Sequence, residues 1–366
     1  MKRILIYGMS NKLGGVEMII KSIIQRLNKD LFCVDIILPL GECLYENQLD
    51  SFCVYRLPLW GNKPIRFRNE LKKLLKQNSY DYIWINLSVF ANITILNVIK
   101  KYSNSKIILH SHGSSFECSN KFKRLVLIIM HACYRRFYLK HADLFFACSK
   151  NAANWLYGKK FTAQQNVMII NNGIDISKFS FDIRIRELYR KQMGIENKHV
   201  LLHVGRFSEV KNHIFLLNLM MKFMNRHMDF ILFFVGEGEL INSIKQKVYS
   251  MGLSDCVYFL GQRKDISALM QMADIFLLPS FHEGFPVTIV EAQAASLPCV
   301  VSDSITKEVK ITDLVHFVSL REPEEVWIDT IVECTKCSKQ RGKELGGELE
   351  KFSIVNVVID LEKQLL

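Results

Sequence analysis

The chain has 366 residues, 49% hydrophobic and 23% charged, with a formal net charge of +12. That length is more than one ordinary core holds and predicts a globular protein of two domains, each of about 150 to 200 residues. The opening MKRILIYGMS carries two positive charges and a five-residue apolar run that meets a glycine, which reads as a first strand and not a signal peptide. The expectation is a chain that folds at once, in the cytoplasm.

Ten cysteines are scattered without a framework, many inside apolar runs such as LFFACS, and read as reduced core residues. Cys334 and Cys337 have C-x-x-C spacing, yet no second pair completes four zinc ligands, so they too read as structural. The charge is uneven. Residues 1–180 hold 26 Lys and Arg against 11 Asp and Glu, whereas residues 181–366 hold 22 against 25. A basic excess raises the question of nucleic acid, but no helix-turn-helix, zinc-finger or RNP-type motif accompanies it, and no nucleic-acid partner is expected.

In chain order, the predicted strands of the first half are RILIY (3–7), VDIIL (34–38), DYIWIN (81–86), KIILH (106–110), DLFFAC (143–148) and VMII (167–170). Those of the second are VLLHV (200–204), FILFFV (230–235), VYFLG (257–261), DIFLLP (274–279) and CVVS (299–302). Amphipathic segments such as 16–28 and 213–227 lie between them. This alternation predicts an α/β protein with two doubly wound parallel sheets, each covered on both faces. The polar stretch NNGIDISKFSFDIRIRE (171–187) reads as the linker.

Doubly wound sheets bind ligands at the carboxyl ends of their strands, where loops pass into helix N-termini. Four loops stand out. In GMSNKLGGVE (8–17), Gly14 and Gly15 open a helix, so backbone can approach an anion closely. Taken alone, a glycine pair at a turn is more often structural. In LHVGRFSEVKNH (202–213), Arg206 and Lys211 stand at a strand end, a planar fork and a point charge suited to a diphosphate; two solvated surface cations would look the same. In FFVGEGEL (233–240), Gly236 and Gly238 close a strand, but residue 241 is Ile and the dinucleotide fingerprint fails. In HEGFPVTIVEA (282–292), Glu283 sits on a loop, Pro286 suits the first turn of a helix, and Glu291 follows about a turn and a half later. The amides of residues 284–287 are then free at the positive end of that helix.

Glu-x7-Glu with Gly-Phe-Pro after the first acid, G-R-x4-K upstream and G-G-V-E after the first strand resemble the family-four retaining glycosyltransferases of the GT-B fold. NNGID (171–175) and VGEGE (235–239) fit the same order, and the resemblance spans residues 1 to about 320. It implies two Rossmann-like domains facing each other across a cleft: 1–178 for the acceptor, 179–345 for a nucleotide-sugar donor, and a last segment, 346–366, crossing back to the first. It also implies roles. Glu291 holds the ribose hydroxyls, Glu283 contacts the transferred sugar, and Arg206 and Lys211 clamp the diphosphate. Backbone at Gly284, Phe285 and Pro286 lines the sugar and phosphate site, with Gly14, Gly15 and Gly236 beside the donor. One histidine near the sugar is implied, with His112 at the family position and His110 the alternative.

The activity so implied is transfer, with retention, of a hexosyl or N-acetylhexosaminyl unit from a nucleoside-diphosphate sugar, UDP-linked by preference. The acceptor would be a glycan or a polyprenyl-diphosphate-linked saccharide, in capsule, exopolysaccharide or lipopolysaccharide assembly. No D-x-D acidic motif is evident, so no metal or other cofactor is expected, two cations and a helix end serving instead. The basic, aliphatic segment 121–141 suits either an anionic membrane surface on the inner face of the plasma membrane or a partly buried helix with solvated ends. A catalytically silent subunit supporting a partner enzyme is the alternative function, because a fold does not fix activity.

Overall fold

The computed structural model describes residues 1–12, 14–113, 121–338, 341–342 and 346–366. It divides into two compact units: Met1–Gly173 together with Ile354–Leu366, and Ile174–Ser353. The boundaries expected at 178/179 and 345/346 therefore fall at 173/174 and 353/354.

Unit 1 runs β1 (Lys2–Tyr7), α1 (Gly15–Ile24), β2 (Phe32–Pro39), β3 (Cys53–Leu57), α2 (Pro64–Gln77), β4 (Tyr82–Leu87), α3 (Ile93–Tyr102), β5 (Lys106–Ser111), α4 (Lys121–His141), β6 (Leu144–Ala147), α5 (Lys150–Tyr157), α6 (Lys159–Gln164) and β7 (Met168–Ile169). Its seven strands lie in the order β3-β2-β1-β4-β5-β6-β7, all pairings parallel. Ile4, Leu5 and Ile6 in β1 and Ile107, Ile108 and Leu109 in β5 are buried in unbroken runs, as expected of strands covered on both faces.

Unit 2 runs α7 (Ile176–Phe179), α8 (Ile183–Gln192), β8 (His199–Val204), α9 (His213–Asn225), β9 (Phe230–Val235), α10 (Ile241–Ser250), β10 (Val257–Phe259), α11 (Ile266–Met272), β11 (Ile275–Leu278), α12 (Val287–Ala294), β12 (Cys299–Ser302), β13 (Val315–Val318) and α13 (Glu324–Ser338). Its six parallel strands lie in the order β10-β9-β8-β11-β12-β13.

The last helix, α14 (Ile354–Leu365), belongs to unit 1. It buries Val357, Val358, Leu361 and Leu365, a helical spacing. The Glu362 carboxylate accepts from the Asn28 amide at 2.6 Å, and the Tyr82 hydroxyl donates to the Leu365 carbonyl at 3.0 Å.

Three differences from the sequence reading have physical reasons. Strands β3 and β13 were not expected; both are sheet edges, where half-exposed residues such as Tyr55 and Arg56 break the apolar run. The linker 171–187 is mostly not a linker. Helices α7 and α8 begin inside it, and Arg190 of α8, though cationic, is buried because its guanidinium reaches Asp274 and the carbonyls of Met272, Glu196 and Lys198. Pro286 stands just ahead of α12 as its N-cap and not in its first turn. Of the cysteines, Cys118 and the side chain of Cys337 lie outside the described residues, while Cys334 is buried in α13. Among the described residues no helix is long and apolar enough to cross a membrane.

Candidate active site

In unit 2 the loops after β8 and β11 are stitched together. The Asn212 side chain donates to the Pro279 carbonyl at 3.2 Å, and the Phe281 amide donates to the Val210 carbonyl at 2.9 Å. Asn212 can end the short turn Glu209–Lys211 because it adopts the left-handed conformation (φ 54°, ψ 48°), which Asn tolerates better than most residues. The consequence is an ion pair: Lys211 Nζ lies 2.6 Å from Glu283 Oε1, both side chains largely buried, in a contact set by charge more than by hydrogen-bond geometry. The sequence assigned these two residues to different parts of a ligand, and the structure makes each the other's partner.

Arg206 is different. Its side chain is 71% exposed and pairs with Glu239 at 3.1 Å. Glu239 lies on the loop after β9, which packs on the β8 loop: the Gly205 amide donates to Val235 and the Phe207 amide to Glu237, both at 2.9 Å. Gly236 permits this approach. With φ at +133°, its position has room for no β carbon, which would fall 2.2 Å from the Gly205 carbonyl oxygen.

The Gly-Phe-Pro turn leads into α12. Phe285 is buried and its ring stacks on Phe352 at 5.6 Å between centroids, so the loop is anchored by an aromatic and not only by its backbone. The amides of Gly284, Phe285 and Val287 donate to no acceptor among the described residues. These donors, at the positive end of α12, suit an anion or sugar oxygens. Glu291 lies further along α12, partly buried. Burial pushes its carboxyl up to about 7, with Lys178 of α7 pulling the other way.

Unit 1 carries the remaining candidates. Gly14 caps α1 and Gly15 is its first residue, with open space where a β carbon would stand. The loop ahead of them is clamped by Glu17, a buried carboxylate that accepts from the Ser10 amide at 2.9 Å and the Gly14 amide at 3.1 Å. Glu17 was visible only as part of G-G-V-E; an acid at the third helical position after a cap was the signal for its role.

The two histidine candidates are in contact, ring centroids 4.0 Å apart. His110 is fully buried between Trp84, Phe146 and His112, whereas His112 is partly exposed just past the end of β5. Asn86 fixes the state of His112. Its amide nitrogen donates to the Tyr7 carbonyl at 3.1 Å, so its oxygen must accept from His112 Nε2 at 2.8 Å. His112 therefore carries its proton on Nε2 and keeps a lone pair on Nδ1. Burial pushes its pKa down to about 3, and the ring is neutral.

Comparison with known proteins shows the family. The model described as Glycosyltransferase Family 4 matches residues 13–178, and that described as Glycosyl transferases group 1 matches residues 185–318. EpsF of Bacillus subtilis (strain 168), named as a glycosyltransferase, is 30% identical over 336 residues, 90% of this chain and 86% of that protein. An Escherichia coli UDP-Gal:alpha-D-GlcNAc-diphosphoundecaprenol alpha-1,3-galactosyltransferase is 28% identical over 307 residues, 80% of this chain and 76% of that protein. A solved structure, Anabaena HepE in complex with UDP-glucose, has a TM-score of 0.80 at 19% identity, covering 100% of this chain and 99% of that one, which shows the shared fold. The chain belongs to the family-four glycosyltransferases, with the two parallel-sheet domains of the GT-B fold.

Proposed function

We propose that the chain transfers a hexosyl or N-acetylhexosaminyl unit from a UDP-sugar, with retention and without a metal ion, to a polyprenyl-diphosphate-linked saccharide in the building of a cell-surface polysaccharide. The observation that carries the reading is the stitched pair of loops in unit 2, which gathers Lys211, Glu283 and the open amides of Gly284, Phe285 and Val287 at one strand end.

A departing nucleoside diphosphate develops negative charge, and a cation held in place beforehand lowers the barrier more than one that must be gathered. Lys211 and Arg206 serve that charge. The acid Glu283 takes hydroxyls of the sugar, Glu291 takes the ribose, and Gly236 keeps the β8 and β9 loops close enough to present Arg206. In unit 1, Gly14 and Gly15 offer open backbone and His112 offers its Nδ1 lone pair, groups that suit a phosphate and a sugar hydroxyl. The activity named for the Escherichia coli relative supports both a UDP-linked donor and a lipid-linked acceptor.

Helix α4 supports a membrane surface as the place of work. Its second half is anchored by buried His131 and Tyr138, while its first half exposes Phe122, Leu125, Val126, Ile128 and Ile129 beside Lys123 and Arg124. Apolar side chains among cations suit an anionic headgroup layer.

The test is a thermal-shift screen against sugar nucleotides, followed by a transfer assay with and without EDTA. A UDP-sugar should raise Tm by mass action and be turned over equally in EDTA. A chain that no sugar nucleotide stabilises, or turnover that EDTA abolishes, would overturn the proposal.

A further inference from the structure

Beneath the Lys211–Glu283 pair lie two histidines to which the reading above gives no role. His203, in β8, is fully buried, and one of its ring nitrogens, Nδ1, lies 2.9 Å from the Leu277 carbonyl of β11. A carbonyl only accepts, so Nδ1 carries the proton and Nε2 is a bare lone pair. That lone pair has no partner among the described residues. It borders the lysine: a β carbon at Gly205 would lie 3.2 Å from His203 Nε2 and 3.2 Å from Lys211 Cε, so the absent side chain leaves one space that both share.

His213, at the start of α9, backs this ring. It is 2% exposed, stacks on Phe207 at 4.2 Å and meets His203 edge-on at 4.8 Å, and neither of its nitrogens has a partner among the described residues. Both rings are held neutral by burial, the Lys211 charge adding to the effect. A buried acceptor with no donor is costly unless another arrangement of the molecule satisfies it.

We propose that His203, backed by His213, is a positioning residue for Lys211, its Nε2 accepting one proton of the ammonium when Glu283 is drawn away to the sugar. The inference rests on the donor-site reading. An ammonium has three protons to give. With one on His203, the other two point at a diphosphate, and the cation is aimed instead of free to sweep. His203 also ties β8 to β11, the strands whose loops carry Lys211 and Glu283, so the same ring that aims the lysine holds its two loops together.

The first test needs no ligand. In the full-length Glu283→Gln variant the lysine loses its counter-ion, and the ¹⁵N resonance of His203 Nε2 should move upfield as it begins to accept a proton. Adding Lys211→Met should return it. An Nε2 resonance identical in wild type and Glu283→Gln would overturn the proposal. It would do so without bearing on whether the chain uses a sugar nucleotide, which the donor screen decides.

The second test separates aiming from packing. His203→Asn keeps a donor for Leu277 but has nothing at Nε2, whereas His203→Gln puts an acceptor near the Nε2 position. With the donor found in the screen, His203→Asn should lose about tenfold in kcat, the worth of one hydrogen bond made in the transition state, with donor KM within about twofold. His203→Gln should recover most of that loss. Equal kcat in the two variants would sink the idea, whether both matched wild type or both fell together.

Discussion

Each unit carries a pair of neutral histidines at or just beyond the carboxyl end of a strand, but surrounds them differently. In unit 1 the neighbours of His110 and His112 among the described residues are uncharged: Asn86, Trp84 and Phe146. In unit 2, His203 and His213 lie against Lys211, with Glu283 beyond it. Yet it is the first half of the chain that holds the basic excess and the second that does not. Net charge therefore points to a surface and not to the chemistry. The cations of unit 1 include exposed ones such as Lys123 and Arg124 in the first half of α4, whereas in unit 2, with no excess, Arg206 and Lys211 each pair with a carboxylate.

If the contrast holds, removing a cation from unit 2 should cost more than removing a neutral ring from unit 1. Lys211→Ala is expected to lower kcat by about 10²-fold, the loss of a preorganised charge worth roughly 3 kcal/mol. Steady-state turnover of the preferred donor measures this, and undiminished kcat would break the comparison. His112→Ala, in unit 1, should cost about tenfold in the same assay, one hydrogen bond to a neutral acceptor, and lower Tm by leaving the buried Asn86 oxygen without its donor. A loss as large as that of Lys211→Ala would show that the neutral cluster carries as much of the reaction as the charged one.

The smallest effect is on stability. Burial raises the Glu291 carboxyl from 4.5 to about 7. The folded chain then keeps a proton that the unfolded chain has already released, so stability falls as pH rises from about 4.5 to about 7 and stays lower above that. Glu291→Gln removes this penalty. Its Tm should exceed that of wild type at pH 8, the two should converge toward pH 5, and affinity for the nucleotide should drop several-fold. Melts at the two pH values with calorimetric titration of UDP check it, and a variant less stable than wild type at pH 8 would refute it.

Most of the fold was legible because parallel strands buried on both faces write themselves as unbroken apolar runs. The edges did not, since β3 and β13 are half exposed and interrupted by polar residues. Nor did α8, whose IRIRELYRKQ reads as solvated until Asp274 is seen to bury Arg190. The site loops were legible through their punctuation: glycines, a proline, and charges at fixed spacing. What stayed hidden was the partner of each charge. Lys211 and Glu283 are 72 positions apart in the chain, and nothing local says that Asn212 and Phe281 will stitch their loops together. His203 and His213 were hidden in another way, inside VLLHV and NHIFLL, where a histidine among aliphatics passes for core.

Helix α14 has a consequence for how the protein is made. Unit 2 is one continuous stretch, residues 174–353, and it can close on its own contacts. Unit 1 cannot. Its β-sheet leaves the ribosome first, but the Tyr82 hydroxyl and the Asn28 amide wait for partners from the last segment of the chain, Leu365 and Glu362. Unit 1 is thus built from two segments with all of unit 2 between them, and removing residues 354–366 places its defect in the domain that holds residues 1–173.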